Sequence, residues 1–381
     1  MIVQHPMLWC AALFAAGIAI GLYLPFPLCY LPLLAVSVIV CTLPGISRYW
    51  HDVLTIIVWL LLGCSRAAVC PVCDAAPAWQ EAVRGEAKSV QTAMVSRLRE
   101  AGLSPEALAL CSALTVGQRD DLKRETRRAY SQVGASHLLA LSGMHLGIVY
   151  AFLYLVLVRG VRHTRWRWYA LPLVLFCLWG YTLVAGMPVS LARAAIMLSV
   201  FTIVSMMQYD TDPLHSLALS AIIILLIAPA DLLSIGFQLS FAAVFFLLAL
   251  WAPLRERFPR LPWAVRLLAV SCIAQIGTMP LTLYYFHQLP LLAPLLSLLL
   301  IPLTTLIIYL SLAAMALPLA PLGQMLNVLE ALQRRIIDFA AGIPGGTLED
   351  IRPGVAAVAL MYGAMLLAIV RLRTSHHFTD F

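Results

Sequence analysis

Runs of about twenty residues in which nearly every side chain is apolar recur along this chain, and they restrict its fold more than any motif does. A helix rises about 1.5 Å per residue, so each run is long enough to cross a hydrocarbon layer roughly 30 Å thick. Hydrophobic residues make up 62% of the chain and charged ones 11%, whereas a soluble domain carries about a quarter charged residues. The runs show no period-2 alternation, which disfavours a barrel, and backbone groups in lipid must bond within their own segment. The expected fold is therefore all-α, a polytopic integral membrane bundle.

The pattern predicts about eleven transmembrane helices, near 7–24, 28–45, 52–69, 136–158, 167–186, 189–207, 213–229, 231–252, 263–286, 291–319 and 354–371. In 291–319, Pro294 and Pro302 predict either a kinked helix or a half-helix followed by a full one. In 322–342, Leu326, Leu329, Ile336 and Ile337 alternate at helical spacing with Glu330, Arg334, Arg335 and Asp338, which predicts one interfacial amphipathic helix. The first run lacks flanking Lys or Arg and is followed at once by further spans, so it reads as a retained anchor rather than a leader. The chain divides into N-terminal spans at 1–69, a short external helical segment at 70–135, a channel-type span region at 136–319, and the amphipathic helix with the final span at 320–381.

Segment 70–135 is the one sizeable polar region, with nine Lys or Arg against eight Asp or Glu. Ser104-Pro105-Glu106 reads as a helix cap followed by proline in the first turn. Two or three short helices are expected, too few for a separate enzyme domain. Arg159, Arg162, Arg165 and Arg167 follow the fourth span, and Arg255, Arg257, Arg260 and Arg266 surround the eighth connection. The positive-inside rule places both loops, and with them the N-terminus, on the cytoplasmic side, while Arg371 and Arg373 fall on the other. The net charge of +7 is mostly this orientation signal rather than a nucleic-acid patch.

Polar side chains inside spans are costly in lipid, so they are the functional candidates. His137, Ser142, Gly143 and His145 open the fourth span, where a continuous helix would put both histidines within about 80° of each other. Arg193 lies inside the sixth span; it either pairs with Asp231 or faces a hydrated path. Gln238 and Ser240 lie in the eighth span and Gln275 in the ninth, which ends at His287. Tyr181, Tyr284, Tyr285 and Phe286 read as interface anchors or as surfaces on which bases stack. Cys70 and Cys73 lie at the outer end of the third span, where they are either free thiols or a local disulfide; a lone CxxC is a poor metal motif. No metal and no cofactor is expected.

The segments SHLLALSGMHLGI at 136–148 with ALTVGQRDDLKRETRRAYSQVGA before it, VSLARAAIML at 189–198, the stretch 212–247 and the stretch 269–303 occur in one order over about 210 residues. Together they resemble the competence domain of the ComEC DNA-internalisation family, well over 93–318 and loosely in the flanking spans. The resemblance implies a channel of the bacterial cytoplasmic membrane that passes single-stranded DNA inward while the other strand is degraded outside. Its transport pathway would draw on His137, Ser142, Gly143, His145, Arg193, Asp231, Gln238, Ser240, Gln275 and His287. The expected partners are single-stranded DNA and membrane lipids, with a separate nuclease, a DNA receptor, and a cytoplasmic ATPase or single-strand-binding protein.

Relatives in that family carry an external β-barrel and a metallo-β-lactamase-like nuclease, and the sequence departs from them in both respects. The interval before the competence block is helical, and His376 and His377 are followed only by Asp380 rather than by a His-x-His-x-Asp-His motif. No nuclease activity is expected in this polypeptide. No G-x-x-x-x-G-K-[ST] loop is present, so any ATP use would belong to a partner. Two other classes stay open on the residues alone. Broken helices and a buried Arg suit a secondary transporter of a small anionic solute or lipid. Ser142 near His145 suits an intramembrane hydrolase, although that span holds no orienting acid.

Overall fold

The computed structural model describes residues 6–23, 34, 37–38, 48–69, 78–139, 141–161, 165–206 and 212–376, with backbone only at 48–52, 78–84 and 372–376. Among the described residues the regular structure is helical apart from one antiparallel pair, Leu289–Pro290 (β1) with Thr347–Leu348 (β2), in which Leu289 faces Leu348. The chain forms two compact units. One holds Met1–Ala76 and Ser199–Leu248; the other holds Pro77–Leu198 and Ala249–Phe381.

In the first unit, α1 (Pro6–Tyr23) lies against α2 (Arg48–Val69). Gly17 and Gly21 on α1 and Gly63 on α2 let the backbones touch: a Cβ on Gly17 would collide with the Leu60 carbonyl, and one on Gly63 with that of Phe14. Small residues four apart replace hydrophobic drive, which lipid does not supply, with close van der Waals packing. Helix α10 (Pro213–Ile227) follows, capped by Asp212, whose carboxylate accepts from the Leu214 amide at 2.9 Å. Its far end is closed from α2: Arg66 Nε donates to the Leu226 carbonyl at 2.6 Å and Nη2 to Ile227 at 3.2 Å. A 3-10 turn, Pro229–Leu233, then leads into α11 (Ile235–Arg257).

The second unit contains α3 (Ala78–Glu100), α4 (Pro105–Thr115), α5 (Arg124–Gln132), α6 (Ser136–Leu139), α7 (Gly143–Leu153), α8 (Arg167–Val184), the first half of α9 (Val189–Met206), the end of α11 from Ala249 onward, α12 (Trp263–Phe286), α13 (Ala293–Ala316), α14 (Ala320–Ala341) and α15 (Val355–His376). Ser104 caps α4 as its sequence predicts, its hydroxyl accepting from the Ala107 amide at 3.2 Å, with Pro105 in the first turn. The polar segment is therefore three helices, α3 to α5, and α4 is buried along almost its whole length. Leu98, Leu110, Leu114 and Leu138 form one core with Leu300, Ile307, Leu326 and Ile337. Gln333 of α14 bridges to Tyr130 Oη at 3.0 Å and to Thr304 Oγ1 at 3.3 Å inside that core.

Among the described residues, six helices are long and apolar enough to cross a membrane: α1, α8, α9, α11, α12 and α13. Four more expected spans appear as shorter apolar helices, Val53–Ala67, Gly143–Val158, Pro213–Ile227 and Val355–Arg371, so the count of eleven is not reached by length. The expected span at 28–45 lies almost wholly outside the described residues. The stretch 291–319 is one helix, α13, with Pro294 in its first turn and Pro302 inside it.

Candidate functional site

The expected fourth span, 136–158, is not one helix. Helix α6 stops at Leu139, Leu141 and Ser142 are non-helical, and α7 starts at Gly143 and ends in a π-turn at Tyr154–Val158. The cause is local. Ser142 adopts an extended backbone (φ −122°, ψ 172°) as the N-cap of α7, and its amide donates to His145 Nδ1 at 3.4 Å while its hydroxyl lies 3.0 Å from the same nitrogen. A side chain three residues into a helix that reaches back to the cap amide relieves one of the four orphan donors, so the chain restarts there. The reading of His137 and His145 as one continuous helical face is overturned by this interruption.

A broken helix among apolar elements exposes carbonyls that need donors, and the neighbouring elements supply them. Ser190 Oγ donates to the Leu141 carbonyl at 2.7 Å. Tyr181 Oη donates to the Thr115 carbonyl at 2.7 Å, closing the end of α4, and Gln91 Nε2 donates to Val184 at 2.9 Å, closing the end of α8. His137 Nδ1 lies 3.1 Å from the Gly134 carbonyl. Leu141, Leu146, Leu178, Leu191 and Ala195 pack around the break. Gly143 comes so near α9 that a Cβ there would lie 3.2 Å from the Ala194 methyl. Arg193, only 6% exposed, precedes that alanine.

Helix α12 is tied to the start of α6. Gln275, half-way along that helix, donates from Nε2 to the Pro290 carbonyl at 2.7 Å. The Pro290 ring in turn packs against Gly134, whose positive φ of 73° suits glycine. Gln275, Pro290, Gly134 and His137 therefore form a connected series from the middle of α12 to α6. His145, fully buried, lies within electrostatic reach of His137 and of Arg119. Arg119 sits in the loop between α4 and α5, where Arg127 donates to its carbonyl. Surrounding protein, and then the Arg127 guanidinium, hold Arg119 below the ordinary arginine range.

The second unit thus brings His137, Ser142, Gly143, His145 and the backbone beside Arg193 into one neighbourhood, with Gln275 tied to it only through Pro290 and Gly134. His287 closes α12 in a left-handed conformation (φ 57°), its Nδ1 3.2 Å from the Leu283 carbonyl. Asp231, Gln238 and Ser240 belong to the first unit; Gln238 Nε2 donates locally to the Leu232 carbonyl at 3.1 Å. Cys70 and Cys73 lie outside the described residues. Among the described residues no group of three or more His, Cys, Asp or Glu side chains is placed to hold a metal. Ser142 and His145 do touch, but as partners in a helix cap.

Arg119, Gln91 and Arg66 were not singled out from sequence. The first two are hidden in a polar segment dense in charge. Arg66, a cation near the end of the apolar run of α2, carried a readable signal.

The competence protein family model matches residues 114–375. ComE operon protein 3 of Bacillus subtilis (strain 168) is 35% identical over 204 residues, 53% of this chain and 25% of that protein. Competence protein ComA of Neisseria gonorrhoeae is 27% identical over 285 residues, 71% of this chain and 38% of that protein. Recombination protein 2 of Haemophilus influenzae (strain ATCC 51907 / DSM 11121 / KW20 / Rd) is 30% identical over 204 residues, 50% of this chain and 26% of that protein. The chain therefore spans between a quarter and two-fifths of the length of these relatives. No solved structure matches it.

Proposed function

The chain belongs to the competence protein family, of the ComEC type, and on that premise we propose that it carries single-stranded DNA across the bacterial inner membrane during DNA uptake in natural transformation. The observation that supports this most is the α6–α7 break inside an apolar span region, with His137, His145, Arg119 and Arg193 near it. Non-helical backbone within a membrane is tolerated where it is enclosed by protein or lines a wet path, and a polyanion needs cationic or hydrogen-bonding walls. His287 extends that path in this reading, with the N-terminus on the cytoplasmic side. In this reading the chain works with a nuclease, a DNA receptor, and an ATPase or single-strand-binding protein.

A strain that lacks the chain is expected to bind labelled DNA at its surface and to internalise none. Arg193→Ala should reproduce that defect at normal protein level. Normal internalisation in either strain would defeat the proposal. Growth that depends on a small anion, with transformation intact, would favour a solute transporter, and loss of a hydrolytic activity in Ser142→Ala with uptake unchanged would favour a hydrolase.

A further inference from the structure

Within the second unit, two arginine-bearing connections emerge at the same end of the helices. The chain through α6 and α7 runs in the direction of α13: Gly134, just before α6, packs beside Pro290 and Ala293 at the start of α13, whereas Tyr309, sixteen residues further on, donates from Oη to the Ile148 carbonyl at 3.0 Å and places its ring 5.3 Å from that of Phe152. Helix α13 in turn returns beside α12 after the short connection through β1. The end of α7 and the start of α12 therefore face the same way. That end carries Arg165, Arg167, Arg255, Arg257, Arg260 and Arg266, and all but the half-buried Arg167 are exposed.

Exposed aromatic rings accompany these cations. Trp166 is 68% exposed, Tyr169 72% and Trp263 68%, and Phe258 is also exposed. The Arg167 guanidinium lies 5.3 Å from the centre of the Trp168 ring, and the Trp166 and Tyr169 rings are 5.9 Å apart. Each aromatic sits within a few residues of the apolar body of α8 or α12, the position at which amphipathic rings meet headgroups while the helix continues into hydrocarbon. Glu256 is the one acidic residue in the described parts of both connections.

We propose that this end is a binding surface for anionic phospholipid, its guanidinium groups holding phosphodiester headgroups and its indole and phenyl rings seated at the headgroup–acyl boundary. A guanidinium presents a planar fork of donors that matches two phosphate oxygens, and each arginine near an anionic membrane surface adds attraction. Apolar rings at the rim of apolar helices point to lipid rather than to a free polyanion, which would leave those rings in water. The surface is independent of the transport reading and stands or falls separately from it.

The test uses the purified full chain, exchanged into detergent with equal amounts of phosphatidylglycerol and phosphatidylcholine, washed, and analysed by mass spectrometry for retained lipid. Phosphatidylglycerol should be enriched on the order of tenfold. A variant combining Arg255→Gln, Arg257→Gln and Arg260→Gln should lose most of that enrichment, and the matching Lys variant should keep most of it. An unchanged thermal midpoint in phosphatidylcholine discs shows that the Gln variant is folded; if it does not fold, the enrichment of the wild-type and Lys proteins decides. Equal retention of both lipids, or full enrichment in a folded Gln variant, overturns the proposal. Displacement of the lipid by a short single-stranded oligonucleotide overturns it in favour of a nucleic-acid surface.

Discussion

Two polar groupings of the second unit solve the burial of hydrogen-bonding side chains in opposite ways. Around Gln333, an amide on α14 reaches the Tyr130 hydroxyl from α5 and the Thr304 hydroxyl from α13, so three elements are tied through side chains alone. Around the α6–α7 break, Ser190 donates to a carbonyl of the interruption itself, and Tyr181 and Gln91 donate to the last carbonyls of α4 and α8. The first grouping fixes which helices touch. The second holds open a discontinuity that a plain bundle would have closed. A polar side chain deep in such a bundle is thus not evidence of a pathway by itself; what it bonds to decides.

The sharpest way to break this contrast is to charge the sealed grouping. Gln333 is fully buried and its Oε1 has no partner among the described residues. Gln333→Glu would bury a carboxylate with no cation against it, at a cost of about 3–5 kcal/mol, whereas Gln333→Met removes the amide and costs about 1–2 kcal/mol by leaving the Tyr130 hydroxyl unsatisfied. Thermal unfolding in detergent should rank them in that order. DNA internalised per folded Gln333→Met molecule should equal wild type, and a transport defect in that variant at normal stability would erase the distinction between the groupings.

At the break the expected stability effects are smaller and the functional ones larger. Tyr181→Phe leaves the Thr115 carbonyl without its donor, and Ser142→Ala removes the cap of α7; each should cost about 1 kcal/mol. Both variants should remain folded and internalise less DNA than wild type. A full transport rate in both would mean that the discontinuity has no part in the path.

Membrane helices were legible because apolarity is a property of composition: α8, α9, α11, α12 and α13 lie where the runs lie. The cap of α4 was legible too, since Ser104 and Pro105 act within their own turn. The break at Ser142 was not, although its own polar residues stood out, because one bond that sustains it comes from Ser190, 49 positions away. Arg193 stood out as a cation in an apolar run, and it is buried. Arg119 could not stand out, being one of nine cations in a polar segment, and only the fold carries it to the histidines. Gln238 shows the limit of arguing from cost alone, since its amide bonds to a carbonyl six residues away.

The smallest effects are those of pH, and they differ in sign between two carboxylates of the same unit. Burial raises the Glu330 carboxyl above its ordinary range, a change only partly offset by Arg334, whose Nε lies 3.7 Å away. Between its unfolded and folded values the folded chain binds the extra proton, so Glu330 withdraws stability as pH rises through that window. Partly exposed Glu106 is lowered instead, chiefly by its hydrogen bond with Lys123 at 2.9 Å, so its contribution is lost as pH falls through the folded value. Midpoints measured from acid to neutral pH should therefore show Glu330→Gln gaining on wild type as pH rises, and Glu106→Gln falling behind it over the same range. A Glu330→Gln curve parallel to wild type would show that Arg334 fully compensates the buried carboxylate.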